Sequence, residues 1–356
     1  MSSDIAVVAF AQTVHTGEDS GLSEVELLAP VITGVKRRTG LTRFGFTCSG
    51  SLDYLAGAPF SFVSALDAVG AWPPISESHV EMDAAWALYE AWVRLRHGDI
   101  DTALVYGFGK PSQVRGDGES ELRELMTLRL DPYYLAPLGP DQVSLAALQA
   151  RAYLDQGHKE DDLRAVAARS RGAGRANPFA LDLPEPGGDE YEVAPLRPGD
   201  CPPVTDGAAA IVLATGDKAR ELCERPAWIT GIDHRTEAHS LGARDLARSE
   251  SAALAGVRAG VRDSAHESVR DIEVAELHAQ FSHEELILRE ALGLGDDVRV
   301  NPSGGPLAAD PVMATGLIRI GEAASWIHRG EANRVLGHAA SGPCLQSNLV
   351  CVMSHG

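Results

Sequence analysis

The sequence predicts an α/β fold assembled from two similar halves, and three observations predict it. Apolar runs of strand length alternate with amphipathic runs of helix length along much of the chain. Near the end, a glycine-rich turn (Asn301-Pro302-Ser303-Gly304-Gly305) is followed by a helical run over 315–328 and an apolar strand over 334–338. A second turn, Ser341-Gly342-Pro343-Cys344, and a last strand over 349–353 complete the stretch. That order sets His338 at the C-terminal end of a strand, where open α/β sheets keep their chemistry. The third observation is an echo: residues 96–106 match residues 328–338, with Gly98 answering to Gly330 at an offset of 232. In both copies a long amphipathic run stops at Gly, an acidic residue follows, and an apolar strand begins, which is the pattern of a duplicated unit.

Taken in order, residues 5–10 (IAVVAF) are continuously apolar and suit a strand buried on both faces. Residues 23–39 have helical spacing. Leu27, Leu28, Val31, Ile32 and Val35 share one side, and Lys36-Arg37-Arg38 form a solvated end that the dipole favours. Residues 43–48 suit a short strand before the turn Ser49-Gly50-Ser51, and the apolar run 60–69 is broken by Trp72-Pro73-Pro74. Residues 84–97 are a strong helical run whose Ala, Trp, Leu and Tyr content predicts burial between layers, and residues 102–106 are the strand after it. The character changes over 112–162: Pro132, Pro137 and Pro140 precede a helical run, and the segment reads as an insertion packed on the core. Residues 177–199, rich in Pro and Gly, are surface loop.

Past a turn at Cys201 the strand to Leu213 is made of small and β-branched residues, and Glu224-Arg225-Pro226 breaks the chain before a new strand over 227–232. Residues 274–282 run strand into turn, with Ser282 as N-cap of a helix and a Glu three residues on to close a capping box. The expected organisation is an N-terminal half, 1–225, carrying a cap insertion over 111–192, and a C-terminal half, 226–356.

The 356 residues suffice for a large core, with 44% hydrophobic and 23% charged residues. A formal net charge of −19 opposes binding to nucleic acid and to an anionic membrane surface. No apolar run reaches the roughly 20 residues of a bilayer span, and the first residues lack the basic-then-apolar layout of a secretion signal. The cysteines, Cys48, Cys201, Cys223, Cys344 and Cys351, show no CxxC and no zinc spacing, so no metal is expected, and reduced thiols in a cytoplasmic protein are.

Four segments, taken together, resemble the thiolase superfamily, especially its sterol-carrier/lipid-transfer branch. Glu276-Leu277-His278-Ala279-Gln280-Phe281-Ser282 is similar to that branch's HDCFS box, and Asn301-Pro302-Ser303-Gly304-Gly305 through Ala314-Thr315-Gly316 to its NPSGG…GHPxGATG box. Thr205-Asp206-Gly207-Ala208-Ala209-Ala210 is similar to its NDGAAA strand, and residues 84–109 to its nucleophile helix and following strand. The resemblance implies a duplicated five-layer αβαβα fold with an insertion over the active site. It also implies an acyl-CoA substrate, no cofactor beyond the coenzyme A of that substrate, and a dimer formed through a core strand of each first half. The dimer is either a homodimer or a heterodimer with another thiolase-like chain, possibly joined by a small accessory protein.

The departures from that family decide the chemistry. Its nucleophilic cysteine has its place on Glu81, and no residue from Pro74 to Gly98 is Cys. The histidine of its GHP box falls on Asp310, and its second cysteine falls near His338, with Cys344 a few residues on. Without a thiolate there is no acyl-enzyme, whereas retro-aldol cleavage of a 3-hydroxyacyl thioester needs only a base and donors for an enolate. His338 is the candidate base, and His278 with the backbone N–H groups of Ser303, Gly304 and Gly305 the candidate enolate donors. Each candidate has a structural alternative: His278 and His338 as core histidines, Asp310 as the cap of a helix near Pro311, Glu81 as a first-turn acid, Cys344 as a buried small hydrophobe. The expected function is therefore C–C cleavage of an acyl-CoA in sterol or lipid side-chain breakdown. The rivals are a non-catalytic subunit of an active thiolase-like partner and an acyltransferase using Cys344.

Overall fold

Alternating side chains send each strand's two faces into different layers, and this organises the molecule. A computed structural model describes residues 4–17, 21–56, 59–113, 125–262 and 271–356; residues 114–124 of the expected insertion lie outside that set. Ten strands form one sheet: β1 (Ile5–Gln12), β2 (Phe46–Gly50), β3 (Glu77–Val80), β4 (Thr102–Gly109), β5 (Gly207–Thr215), β6 (Ala227–Thr236), β7 (Val274–Glu276), β8 (Arg299–Val300), β9 (Arg334–Ser341) and β10 (Ser347–Ser354). Their order is β3-β2-β4-β5-β1-β6-β10-β9-β7-β8. The seam is thin, since β1 and β6 pair only at Ala6 with Trp228 and Val7 with Ala227.

Outward from that seam the two runs are β1, β5, β4, β2, β3 and β6, β10, β9, β7, β8, the same order counted within each half. The strand directions repeat too. β2 lies parallel to β3 and β4 and β7 parallel to β8 and β9, while β5 and β10 are antiparallel to both their neighbours. The echo at 232 residues is thus one unit used twice.

The inner faces of the two runs close over a pair of helices, α3 (Ala84–His97) and α9 (Thr315–His328). Alanines on α3 (Ala84, Ala85, Ala87, Ala91) and aliphatic residues on α9 (Leu317, Ile318, Ile320, Ile327) fill the space between sheets. The outer face of the first run, including Leu104, Tyr106, Ala210 and Val212, is covered by α1 (Glu24–Thr39) and α2 (Phe62–Val69). That of the second run, including Val350 and Val352, is covered by α7 (Glu250–Arg258) and α8 (Ser282–Leu292). These are the five layers. The short α6 (Gly216–Leu222) adds to the first outer layer, and α4 (Gln142–Leu154) and α5 (Glu160–Gly174) of the inserted segment pack on α8.

Local signals place most boundaries. Ser23 and Glu26 form a capping box at α1, and Gly40, Gly70 and Gly98 stop their helices in the left-handed conformation. The cationic end of α1 is less solvated than expected: Lys36 donates to Val69 O and Arg38 to Phe10 O. Two other expectations are corrected. β9 runs three residues past His338, which lies inside the strand rather than at its end. The N-cap of α8 is Phe281, not Ser282, and Glu284 is the acid that reaches back to the Phe281 N–H at 3.2 Å. No helix among the described residues is long and apolar enough to cross a membrane.

Candidate active site

β7 delivers its last residue, Glu276, into the core, and the next two residues are held by side chains. Leu277 N–H donates to Asn301 Oδ1 (2.6 Å) and His278 N–H to His338 Nδ1 (3.3 Å). The His278 ring is oriented in turn by Ala340 N–H, which donates to its Nδ1 at 3.2 Å. An imidazole that accepts at Nδ1 carries its proton on Nε2, and Nε2 faces Asp310 Oδ1 across 4.0 Å. Both residues are buried, at 5% and 3% exposure.

Asp310 is gripped from three sides. Thr315 Oγ1 donates to its Oδ1 (2.6 Å), Gln280 Nε2 to its Oδ2 (2.7 Å), and its own N–H donates to Thr205 Oγ1 (2.8 Å). Burial pushes its carboxyl above the usual range, against the hydrogen bonds from Thr315 and Gln280. It does not cap a helix: α9 starts at Thr315, and the bond made there is to the Thr315 hydroxyl rather than to a backbone N–H.

His338 is fully buried and both ring nitrogens are spent: Nδ1 accepts from His278 N–H, so Nε2–H donates to Asn348 Oδ1 (2.9 Å). Burial pulls its pKa down to about 4. It offers no lone pair to a substrate, which removes it as the base and makes it the residue that positions His278. Asn348 is fixed by Nδ2–H bonds to Ser251 Oγ and Leu345 O, both 2.7 Å.

The glycine-rich turn does not hold out its N–H groups either. Ser303 N–H donates to Glu276 Oε1 (3.1 Å), Gly304 N–H to Asn301 O (2.9 Å) and Gly305 N–H to Ser303 Oγ (3.5 Å). The expected enolate donors are consumed by the turn itself. Gly304 has a packing reason: a Cβ there would stand 2.7 Å from Gly174 Cα of α5.

Glu81 also falls outside the site and outside the first turn of α3. Its N-cap is Asp83, and Glu81, with its side chain 46% exposed, accepts from Asp53 N–H (2.6 Å) and lies 3.2 Å from His79 Nε2. Cys344 is a buried filler: it packs with Leu130, Leu145 and Leu241, Sγ donates to Leu145 O (3.4 Å), and burial pushes its thiol up to about 12. A thiol in that state is not a nucleophile. Exposure of the folded protein to acyl-CoA or iodoacetamide at pH 7.5 is expected to leave Cys344 unmodified; an adduct on it by mass spectrometry would restore the acyltransferase rival.

Asp83 was missed. It stands where the N-termini of α3 and α9 converge, accepting Ala85 N–H (2.8 Å) and Gly316 N–H (2.9 Å), and burial raises its carboxyl to about 7. Gly316 permits this approach, because a Cβ there would lie 2.5 Å from Asp83 Oδ1. The signal was in the sequence, an Asp directly before an apolar periodic run, but its second partner comes from 233 residues away.

Comparison with known proteins places this arrangement. The chain is 28% identical over 289 residues to an acetyl-CoA acetyltransferase of Methanothermobacter thermautotrophicus, covering 73% of both chains. It is 33% identical over 164 residues to a sterol carrier protein 2 of Oryctolagus cuniculus, covering 38% of this chain and 28% of that one. The fold matches an Ltp2–ChsH2 aldolase with a TM-score of 0.78 at 20% identity, over 99% of this chain and 98% of that one. It matches human mitochondrial 3-ketoacyl-CoA thiolase with a TM-score of 0.76 at 14% identity, over 99% of both. No family model matches.

The chain has the thiolase fold. Within the thiolase fold its departures are now physical. The start of the buried helix holds a carboxylate, Asp83, and no thiol. Cys48, the nearest cysteine upstream, is sealed in β2 with its thiol pushed up to about 12. What remains at the centre is His278 and Asp310.

Proposed function

We propose that this chain is a member of the thiolase superfamily and an acyl-CoA C–C lyase that cleaves a 3-hydroxyacyl thioester by a retro-aldol step. The observation that carries the reading is His278, locked by Ala340 as an Nε2–H donor and facing the Asp310 carboxyl across 4.0 Å, in a site without a thiolate. Asp310 takes the base role expected of His338. Its carboxylate accepts the 3-hydroxyl proton, the C2–C3 bond breaks, and the electron pair passes into the thioester. His278 Nε2–H holds the enolate oxygen. The proton then returns from Asp310 to C2, leaving a shortened acyl-CoA and a ketone or aldehyde. Raising the Asp310 carboxyl by burial brings its proton affinity toward that of its working pH.

The relatives support the class of substrate. One matched fold is named an aldolase, and one sequence relative is named a sterol carrier protein, so a sterol or lipid side chain is the substrate proposed. Coenzyme A enters as part of that substrate and no other cofactor is required. None of the cysteines forms a disulfide, which suits a cytoplasmic setting. Incubation with a 3-hydroxyacyl-CoA, with and without a genomically adjacent partner, is expected to release a ketone or aldehyde. Its absence under both conditions would remove the lyase reading.

A second reading, a non-catalytic subunit of a thiolase-like assembly, is favoured by the near-complete burial of His278 and Asp310. Under it, cleavage by the assembly survives loss of either side chain. Both readings include a dimer, homo- or heteromeric, through the edge strand β3, whose only strand neighbour among the described residues is β2. Light scattering should give a mass above that of one chain; a monomer would exclude the homodimer.

A further inference from the structure

The peptide that carries His278 is tied to the inserted segment by a run of buried bonds. Asn301 presents Oδ1 to Leu277 N–H because its Nδ2 is already engaged, donating to Glu285 Oε2 at 3.0 Å. Its backbone is pinned as well, with φ 48° and its own N–H on Ala275 O (2.9 Å). The Glu285 carboxylate, on the first turn of α8, has a side chain only 1% exposed. Both its oxygens accept from Arg169 Nη2 on α5, and the Arg169 side chain is 39% exposed. An amide can serve Leu277 in one orientation only, oxygen toward the N–H. Glu285 sets that orientation, and Arg169 holds Glu285 in place, since a buried carboxylate without its cation is costly and would turn away from Asn301.

We propose that Arg169 is a positioning residue for His278, acting from the inserted segment through Glu285 and Asn301. The catalytic meaning of this rests on the lyase reading above; the mechanical coupling does not. It gives the insertion a task beyond covering the core: when α5 is docked, the backbone ahead of His278 is held, and when it lifts, that hold is released. The link is open to solvent at Arg169 alone, so it is the place where ionic strength or a partner could act on the site.

The test is amide hydrogen exchange on the full chain, followed by mass spectrometry over residues 274–281, together with kcat and KM on a 3-hydroxyacyl-CoA. Arg169→Gln is expected to speed exchange in that peptide about tenfold and to lower kcat by a similar factor with little change in KM. Arg169→Lys should restore most of both. Arg164→Gln is the control, because Arg164 also sits on α5 but pairs with the exposed Asp189 (2.6 Å), away from this run of bonds. Faster exchange confined to α5, or an equal effect from Arg164→Gln, would overturn the proposal. If wild-type protein cleaves no thioester, the exchange result still decides the coupling while the lyase reading fails separately.

Discussion

Replacing His278 with alanine is expected to lower kcat for C–C cleavage by about 10²- to 10⁴-fold, the usual worth of a positioned acid–base group. The change removes the imidazole that faces Asp310, while the backbone of residue 277 remains tied to Asn301 and that of residue 278 to His338. The loss should therefore fall on turnover more than on folding. Ala340 N–H loses its acceptor, a penalty of about 1–3 kcal/mol that leaves a domain of this size folded. Asp310→Asn should be as severe, because an amide keeps the contacts to Thr315 and Gln280 in part yet cannot take a proton. His338→Gln should be milder, since that ring acts through His278. Steady-state assay of the three variants separates the readings: a site that works as proposed loses comparable turnover in the first two and less in His338→Gln, and unaffected cleavage by an assembly containing His278→Ala would assign the chemistry to a partner.

Replacing Arg319 with methionine should destabilise the fold by about 3–5 kcal/mol, the cost of stranding a buried charge. Arg319 Nη1 bonds Glu276 Oε2 (3.0 Å) and Ser303 Oγ, and Glu276 has no exposed surface at all. Burial raises the Glu276 carboxyl to about 7 even with the guanidinium beside it, and the cation is the main influence holding it down. The sign of the pH effect follows. A carboxyl whose folded pKa is raised lends stability that is complete below its unfolded value near 4.5 and is lost as pH rises through the folded value. Without Arg319 the folded value rises further, so the penalty should be small near pH 5 and larger at pH 8. Urea unfolding at both pH values measures it; a deficit that is equal at the two, or greater at pH 5, would mean that Glu276 is not the group left stranded.

Local physics explains which features were legible beforehand. The α/β class, the duplication, and the stops at Gly40 and Gly98 depend on period and turn chemistry within a few residues. That His278 and Asp310 fall in family boxes was legible from motif resemblance. Their roles were not, because a role depends on what the other ring nitrogen or carboxylate oxygen is bound to. His338 and the Ser303-Gly304-Gly305 turn looked available in one dimension, and both prove fully engaged, by Asn348 and by Glu276 and Asn301. Asp83 was readable as a helix cap and no more, since Gly316 reaches it only after the two halves close.

The box at Ser282 is an instructive error. Sequence spacing allows either Glu284 or Glu285 to close it. The fold gives the cap to Glu284 and sends Glu285 to Arg169 and Asn301.

By itself, then, the sequence determined the α/β class, the repeated unit and the absence of a thiol at the head of the buried helix, because hydrophobic period, glycine stops and residue identity are written in neighbouring positions, while the five layers were implied by the family resemblance. Only the tertiary structure decided which imidazole faces Asp310 and which is a brace, and that the N–H groups of the glycine-rich turn are already bonded. Hydrogen-bonding capacity is finite, and the partners that exhaust it here come from strands and helices far apart in the chain.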